Sequence, residues 1–203
     1  MDIPTIKEFN KGVEEFRKYE KRDAMYKVAT FMVSHFWNKP ADIADGLGVL
    51  LLTWNQAFYR YGVFDFNKLE RCIKNNYSEI KEYRNRHILT LSTSDEKNIK
   101  KMFNEFLEAL QIDTGKMKGR KSPVSVAKTI HLLAPKFFPI WDDKIARAYG
   151  CYYNKNSAEQ YIRFCKIMKD FSEKLKDKIL YKNWSILKII DEYNYSKYTK
   201  HWI

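Results

Sequence analysis

Between Ser122 and Arg147 the chain sets a serine and a proline, an apolar helical stripe, the loop Phe138-Pro139-Ile140-Trp141, and then two aspartates. Ser122 suits the N-cap of a helix and Pro123 its first position, whose N–H has no intrahelical partner. Val126, Ile130 and Leu133 recur at helical spacing until Pro135 ends the run. The loop that follows is too apolar to stay in water, so it should pack down and hold Asp142 in a fixed, partly buried position. A carboxylate held in this way has two uses. It caps the helix that continues through Ile145, or it stabilises positive charge that develops on a bound substrate. Asp143 beside it is expected to face solvent.

Ala127, the Phe138-to-Asp142 segment, Ile145 and Arg147 resemble the pattern of the helix-hairpin-helix DNA glycosylases, a family that removes damaged or mispaired bases from DNA. The likeness spans about residues 119–149. It implies that Asp142 is the catalytic aspartate of an enzyme that hydrolyses the N-glycosidic bond of a flipped base in double-stranded DNA, with no cofactor and no metal. Such bonds break through a transition state with positive charge on the sugar, which a nearby carboxylate stabilises.

Two departures from the family pattern bear on mechanism. The glycine turn that brings backbone N–H groups to a phosphate is replaced by Lys121-Ser122-Pro123-Val124. Members that also cut the strand carry a lysine where Ser125 stands, so no AP-lyase activity is expected, and neither Lys121 nor Lys128 nearby replaces it. Lys116, Lys118, Arg120 and Lys121 precede the helix N-terminus, where anions are favoured. The expected DNA contacts are these four with Ser122, Ser125, Lys128 and Arg147. The resemblance further suggests Gln56 as filler of the gap left by the base, with Asn55, Tyr59 and Trp141 lining the pocket or wedging the helix. The same residues also read as packing, since Trp54 and Phe58 are ordinary i, i+4 partners.

Charge supports a polyanionic partner. The net charge is +12, and residues 111–203 hold nineteen Lys or Arg against nine Asp or Glu, so +10 of it lies in the second half. Tyr149, Tyr152, Tyr153, Tyr193, Tyr195 and Tyr198 lie among those lysines and suit either nucleic-acid contact or packing. Three scattered cysteines build no disulfide framework and fit a reducing, intracellular location, cytoplasmic and associated with the nucleoid if DNA is the partner. Four isolated histidines give no metal-ligand spacing. No leader is expected, and the longest apolar run, Leu47 to Thr53, is too short to span a membrane. Without sustained heptads a monomer is expected.

Helical periodicity runs the length of the chain and strand signals are nearly absent, so the fold class is all-α. Stripes at Ile6–Phe16, Met25–Phe36, Ile43–Phe58, Ile99–Leu110 and Tyr161–Leu175 predict helices, with Ser94 and Ser157 as caps of the last two and shorter helices near 66–74, 78–86 and 184–190. The Ile43–Phe58 helix, apolar nearly all round, should sit centrally. Thr90–Thr93 and Asp113–Lys121 read as flexible connectors. The chain forms one domain, or, by the resemblance, two helical subdomains with a cleft between them: 41–140, and 1–40 plus 141–203. The alternative to an enzyme is a non-catalytic helical module of the same fold that binds nucleic acid or a protein.

Overall fold

The structure, a computed structural model, describes residues 4–177 and 184–203. The parts of the expected second subdomain at 1–3 and 178–183 lie outside the described residues. Eleven α-helices and no strand make up the described chain, an all-α fold. They are α1 (Ile6–Tyr19), α2 (Ala24–His35), α3 (Pro40–Trp54), α4 (Gln56–Tyr59), α5 (Phe66–Asn75), α6 (Tyr77–Arg84), α7 (Glu96–Ala109), α8 (Pro123–Leu133), α9 (Asp143–Ala148), α10 (Ser157–Leu175) and α11 (Ile186–Asn194). A short π-helical turn, Tyr195–Thr199, follows α11.

The chain ends meet through α1 and α11. Phe9 packs on Tyr193 and Phe171 with ring centroids 5.3 and 5.8 Å away. The approach needs a glycine: a Cβ at Gly12 would stand 2.6 Å from the Tyr193 ring. Ser196 Oγ donates to the Gly12 carbonyl at 2.7 Å and closes the contact.

The helix α8 is buried nearly all round, more so than the Ile43–Phe58 stretch that composition favours. Every residue from Ser125 to Leu133 is buried, whereas Val49 on α3 is exposed. Ser122 caps α8, its Oγ accepting from Ser125 N at 3.1 Å. The loop behind it packs down as its composition predicts. Phe137, Phe138, Ile140 and Trp141 are all buried, Tyr161 donates to Pro139 O at 2.7 Å, and Trp141 Nε1 donates to Pro123 O at 3.2 Å.

Four expectations are corrected, the simplest being the cap at Ser157: Asn156 takes the N-cap position of α10 and Ser157 is its first residue. The helix expected to run through Phe58 breaks at Asn55, whose backbone turns out of the helical region (φ −121°, ψ 37°). The break is stabilised from α8, because Asn55 Nδ2 donates to Ser125 Oγ at 2.6 Å and to Ser122 Oγ at 3.2 Å. The cap expected at Ser94 is made by Ser92 with Asp95, a reciprocal pair that Arg86 fixes by two hydrogen bonds of 2.6 and 2.8 Å to the Asp95 carboxylate. Segment 113–121 is not an open connector. Gly119 N bonds Ile112 O at 2.7 Å, Ile112 N bonds Arg120 O at 2.9 Å, Asp113 N bonds Val63 O at 2.8 Å, and Lys68 pairs with Asp113 at 2.6 Å.

The Asn55 clasp holds α3 against the start of α8. Asn55→Ala should therefore destabilise the protein by about 1–3 kcal/mol, since two buried hydroxyls lose their donor; a thermal melt should fall by roughly 3–8 °C, and an unchanged melting temperature would contradict the clasp.

Candidate functional site

A cavity of about 670 Å³ opens where the turn between α1 and α2 meets α8, α9 and α11. Its size suits a drug-sized or nucleoside-sized ligand. Trp54, Lys128, Asp142, Lys188, Asp191 and Tyr195 form the walls and floor, and exposed Lys18, Lys21 and Arg22 stand at the rim.

Asp142 is fixed by two hydrogen bonds. As N-cap of α9 it accepts from Ile145 N at 2.7 Å through Oδ1, and Thr199 Oγ1 donates to Oδ2 at 2.5 Å. It caps a helix and faces the cavity at once. Asp143 is exposed, as expected, and pairs with Arg147 at 2.8 Å.

Lys128 enters the cavity from the buried helix α8 and is only 8% exposed. The break at Asn55 gives it an acceptor: Nζ donates to Trp54 O at 3.0 Å and lies 4.7 Å from the Trp54 ring centroid. Burial pushes its pKa down to about 8, against the pull of the Asp142 and Asp191 carboxylates. It therefore has both the position and the basicity of a reactive amine.

On the floor, Lys188 is 2% exposed and faces three carboxyl groups: Asp23 at 2.9 Å, Asp191 at 3.6 Å and Glu192 at 4.0 Å. Burial alone would lower its pKa, but Asp191, Asp23 and Glu192 together hold it above the ordinary lysine value. Arg17 pairs with Glu192 at 2.9 Å. Beneath them Tyr26 Oη lies 2.9 Å from His131 Nε2, and His131 Nδ1 lies 2.6 Å from Phe138 O. Full burial pushes the His131 pKa down to about 3, so the ring is neutral, donating to Phe138 O and accepting from Tyr26. This histidine is a structural strut between α8 and the loop that presents Asp142.

Of the residues expected at the site, the cavity unites Asp142 and Lys128. Lys116, Lys118, Arg120 and Lys121 are exposed on the loop before α8 and do not line it, and Lys121 pairs with Glu108. Ser122 and Ser125 are buried, with their hydroxyls engaged by Asn55. Asn55 is thus committed to the fold. Tyr59 is buried and donates to Leu110 O at 3.0 Å. Trp141 is fully buried among Phe103, Tyr153, Tyr161 and Phe164, which leaves no ring face for a base. Gln56 is exposed, two residues from the cavity-lining Trp54. Arg147 is exposed on α9.

Sequence reasoning missed Lys188, Asp191 and the rim at 18–22. A signal existed: Lys188 interrupts the apolar run Ile186-Leu-Lys-Ile-Ile, and Asp191 and Glu192 follow it at i+3 and i+4, the spacing of one helix face. Among the described residues no group of three or more His, Cys, Asp or Glu could hold a metal, and no helix is long and apolar enough to cross a membrane. Comparison with protein-family models, curated proteins and solved structures finds no match.

Because Lys128 is charged in the unfolded chain up to about pH 10.4 but releases its proton near 8 in the fold, the cost of burying its charge is full below pH 8 and fades as pH rises to 10.4. Lys128→Met should therefore look most favourable relative to wild type at pH 7. The advantage should shrink by on the order of 3 kcal/mol by pH 10, which denaturant melts at the two pH values measure.

Proposed function

We propose that this chain is a DNA base-excision enzyme of the helix-hairpin-helix type, acting as an intracellular monomer on double-stranded DNA. It holds an extruded base in the cavity and breaks the N-glycosidic bond with the help of the Asp142 carboxylate. The observation that carries this reading is that Asp142, the residue matched to the family's catalytic aspartate, is a helix cap held by two hydrogen bonds on the wall of a nucleoside-sized cavity. Extruding a base costs a few kcal/mol of stacking and pairing. The exposed Lys18, Lys21 and Arg22 at the rim, with Lys116, Lys118 and Arg120 on the loop before α8, offer the phosphate contacts that offset it.

A second reading adds a lyase step, and the burial of Lys128 favours it. An amine of lowered pKa beside a carboxylate can attack C1′, displace the base and form an imine with the sugar. Ser125, the position the family uses for that lysine, is sealed in the core.

Labelled duplexes carrying different damaged or mispaired bases, incubated with the protein and then split into samples with and without alkali, test both readings. Asp142→Asn should lower base release by at least about 10²-fold while DNA affinity holds, and full activity in that variant would sink the assignment. Breaks that need alkali mean hydrolysis alone. Breaks without alkali, with a borohydride-trapped adduct that Lys128→Met abolishes, mean the lyase. DNA affinity should fall roughly 10²-fold between 50 and 200 mM salt if about four phosphates are neutralised.

A further inference from the structure

Around the buried Lys188 stand three carboxyl groups and, with Arg17, two cations. Lys188 faces Asp23, Asp191 and Glu192, Arg17 pairs with Glu192, and Lys128 and Asp142 add one charge of each sign to the lining. Where such a cluster is buried, the excess is resolved by a proton or by a cationic ligand.

The partners decide which acid takes the proton. Asp23, on the turn between α1 and α2, has Lys188 at 2.9 Å, and Glu192 accepts from Arg17 Nε at 2.9 Å. Asp142 accepts two hydrogen bonds. Asp191 has only Lys188 at 3.6 Å, and among the described residues no donor reaches its carboxyl within hydrogen-bond distance. It is 9% exposed, lines the cavity, and lies in the field of Asp23, Asp142 and Glu192, with Lys128 and the Tyr26 and Tyr195 hydroxyls in the same field. Burial first, then these neighbouring carboxylates, push its pKa up to about 7 in spite of Lys188. Two carboxyl groups line one cavity, Asp142 held by two hydrogen bonds and Asp191 by none, an arrangement that suits a base and an acid.

We propose that Asp191 is the proton donor to the departing base, with Asp142 the carboxylate on the sugar side. This rests on the glycosylase reading and adds a second catalytic residue to it. The C1′–N bond breaks with its electron pair going to the base, which takes the Asp191 proton. Water then adds to C1′ and gives a proton to Asp142, from which solvent returns it to Asp191. The step fixes a substrate class. A base with no fixed charge leaves poorly as an anion and needs the proton, whereas a ring-alkylated cationic base leaves neutral and does not. The site is built for uncharged bases.

Two measurements separate the inference from the reading beneath it. Infrared titration of the free protein should show a protonated carboxyl band that fades as pH rises through 7 and is missing in Asp191→Asn, an isosteric change; no such band in the wild type overturns the proposal whatever happens to DNA. Single-turnover release of uncharged bases between pH 5.5 and 8.5 should slow about tenfold per pH unit above 7 in the wild type. Asp191→Asn, with unchanged circular dichroism and DNA affinity, should lose about 10²–10³-fold and the pH limb with it, while release of a cationic base such as 7-methylguanine changes less than about threefold. A wild-type rate and pH limb in Asp191→Asn overturn the proton donor and leave the glycosylase reading intact. No release of any base by the wild type overturns both.

Discussion

Lys188 carries an ammonium into the interior of an all-helical protein, where an unpaired charge would cost several kcal/mol, and much of the architecture around the cavity answers that cost. Asp23 comes to it from the turn between α1 and α2, in a left-handed backbone conformation (φ 40°) that a non-glycine residue adopts only when held there. Asp191 and Glu192 come from its own helix, one turn further on, and Arg17 from α1 satisfies Glu192 in turn. The Phe16 and Tyr26 rings lie 4.5 and 4.6 Å from the ammonium and shield it. One buried cation thereby ties α1, the α1–α2 turn, α2 and α11 into a single wall.

Lys128 poses the same problem on the opposite wall and meets it by different means. Its acceptor is a backbone carbonyl, and that carbonyl belongs to the last residue of α3, where the helix has ended and C=O groups lack intrahelical partners. The end of α3 is set by Asn55, and Asn55 is held by the capping turn of α8, the helix that carries Lys128. The arrangement closes on itself: the turn that starts α8 breaks α3, and the break provides the acceptor that the middle of α8 requires.

The all-α class, most helix positions, the packed apolar loop and the capping role of Asp142 were legible because each rests on local chemistry: periodicity, a serine before a proline, aromatic residues flanking Pro139, an aspartate before an apolar helix. What could not be read depends on contacts far apart in sequence. Nothing local to Thr53-Trp54-Asn55-Gln56 announces a helix break, since the donor–acceptor pairs that favour it span 67 and 70 residues. Lys128 was misjudged for a related reason. Three residues on, it stands about 60° around α8 from Ser125, and the cavity it enters is built by α11 and the α1–α2 turn. The basic loop before α8 was conspicuous by composition, yet the cations at the cavity rim belong to Lys18, Lys21 and Arg22, in the half of the chain with the smaller charge excess.

That relocation bears on the proposed function, for which the resemblance would place a glycine turn before α8. Glycines in such a turn let backbone N–H groups approach a phosphate. Here the turn is Lys121-Ser122-Pro123-Val124: Pro123 has no N–H, the Ser125 N–H is taken by Ser122 Oγ, and the Ser122 and Ser125 hydroxyls face inward to Asn55. The segment is a structural clasp. Under the proposed function its phosphate-binding duty passes to flexible side chains on either side of it, the 116–120 loop and the rim at 18–22. Side-chain cations attract a phosphate over several ångströms and tolerate its displacement, whereas backbone donors need close and directed approach. Such an enzyme would grip the backbone less rigidly than one with a glycine hairpin and would depend more on its cavity, with one carboxylate toward the sugar and one carboxylic acid toward the base, to decide which nucleotide stays.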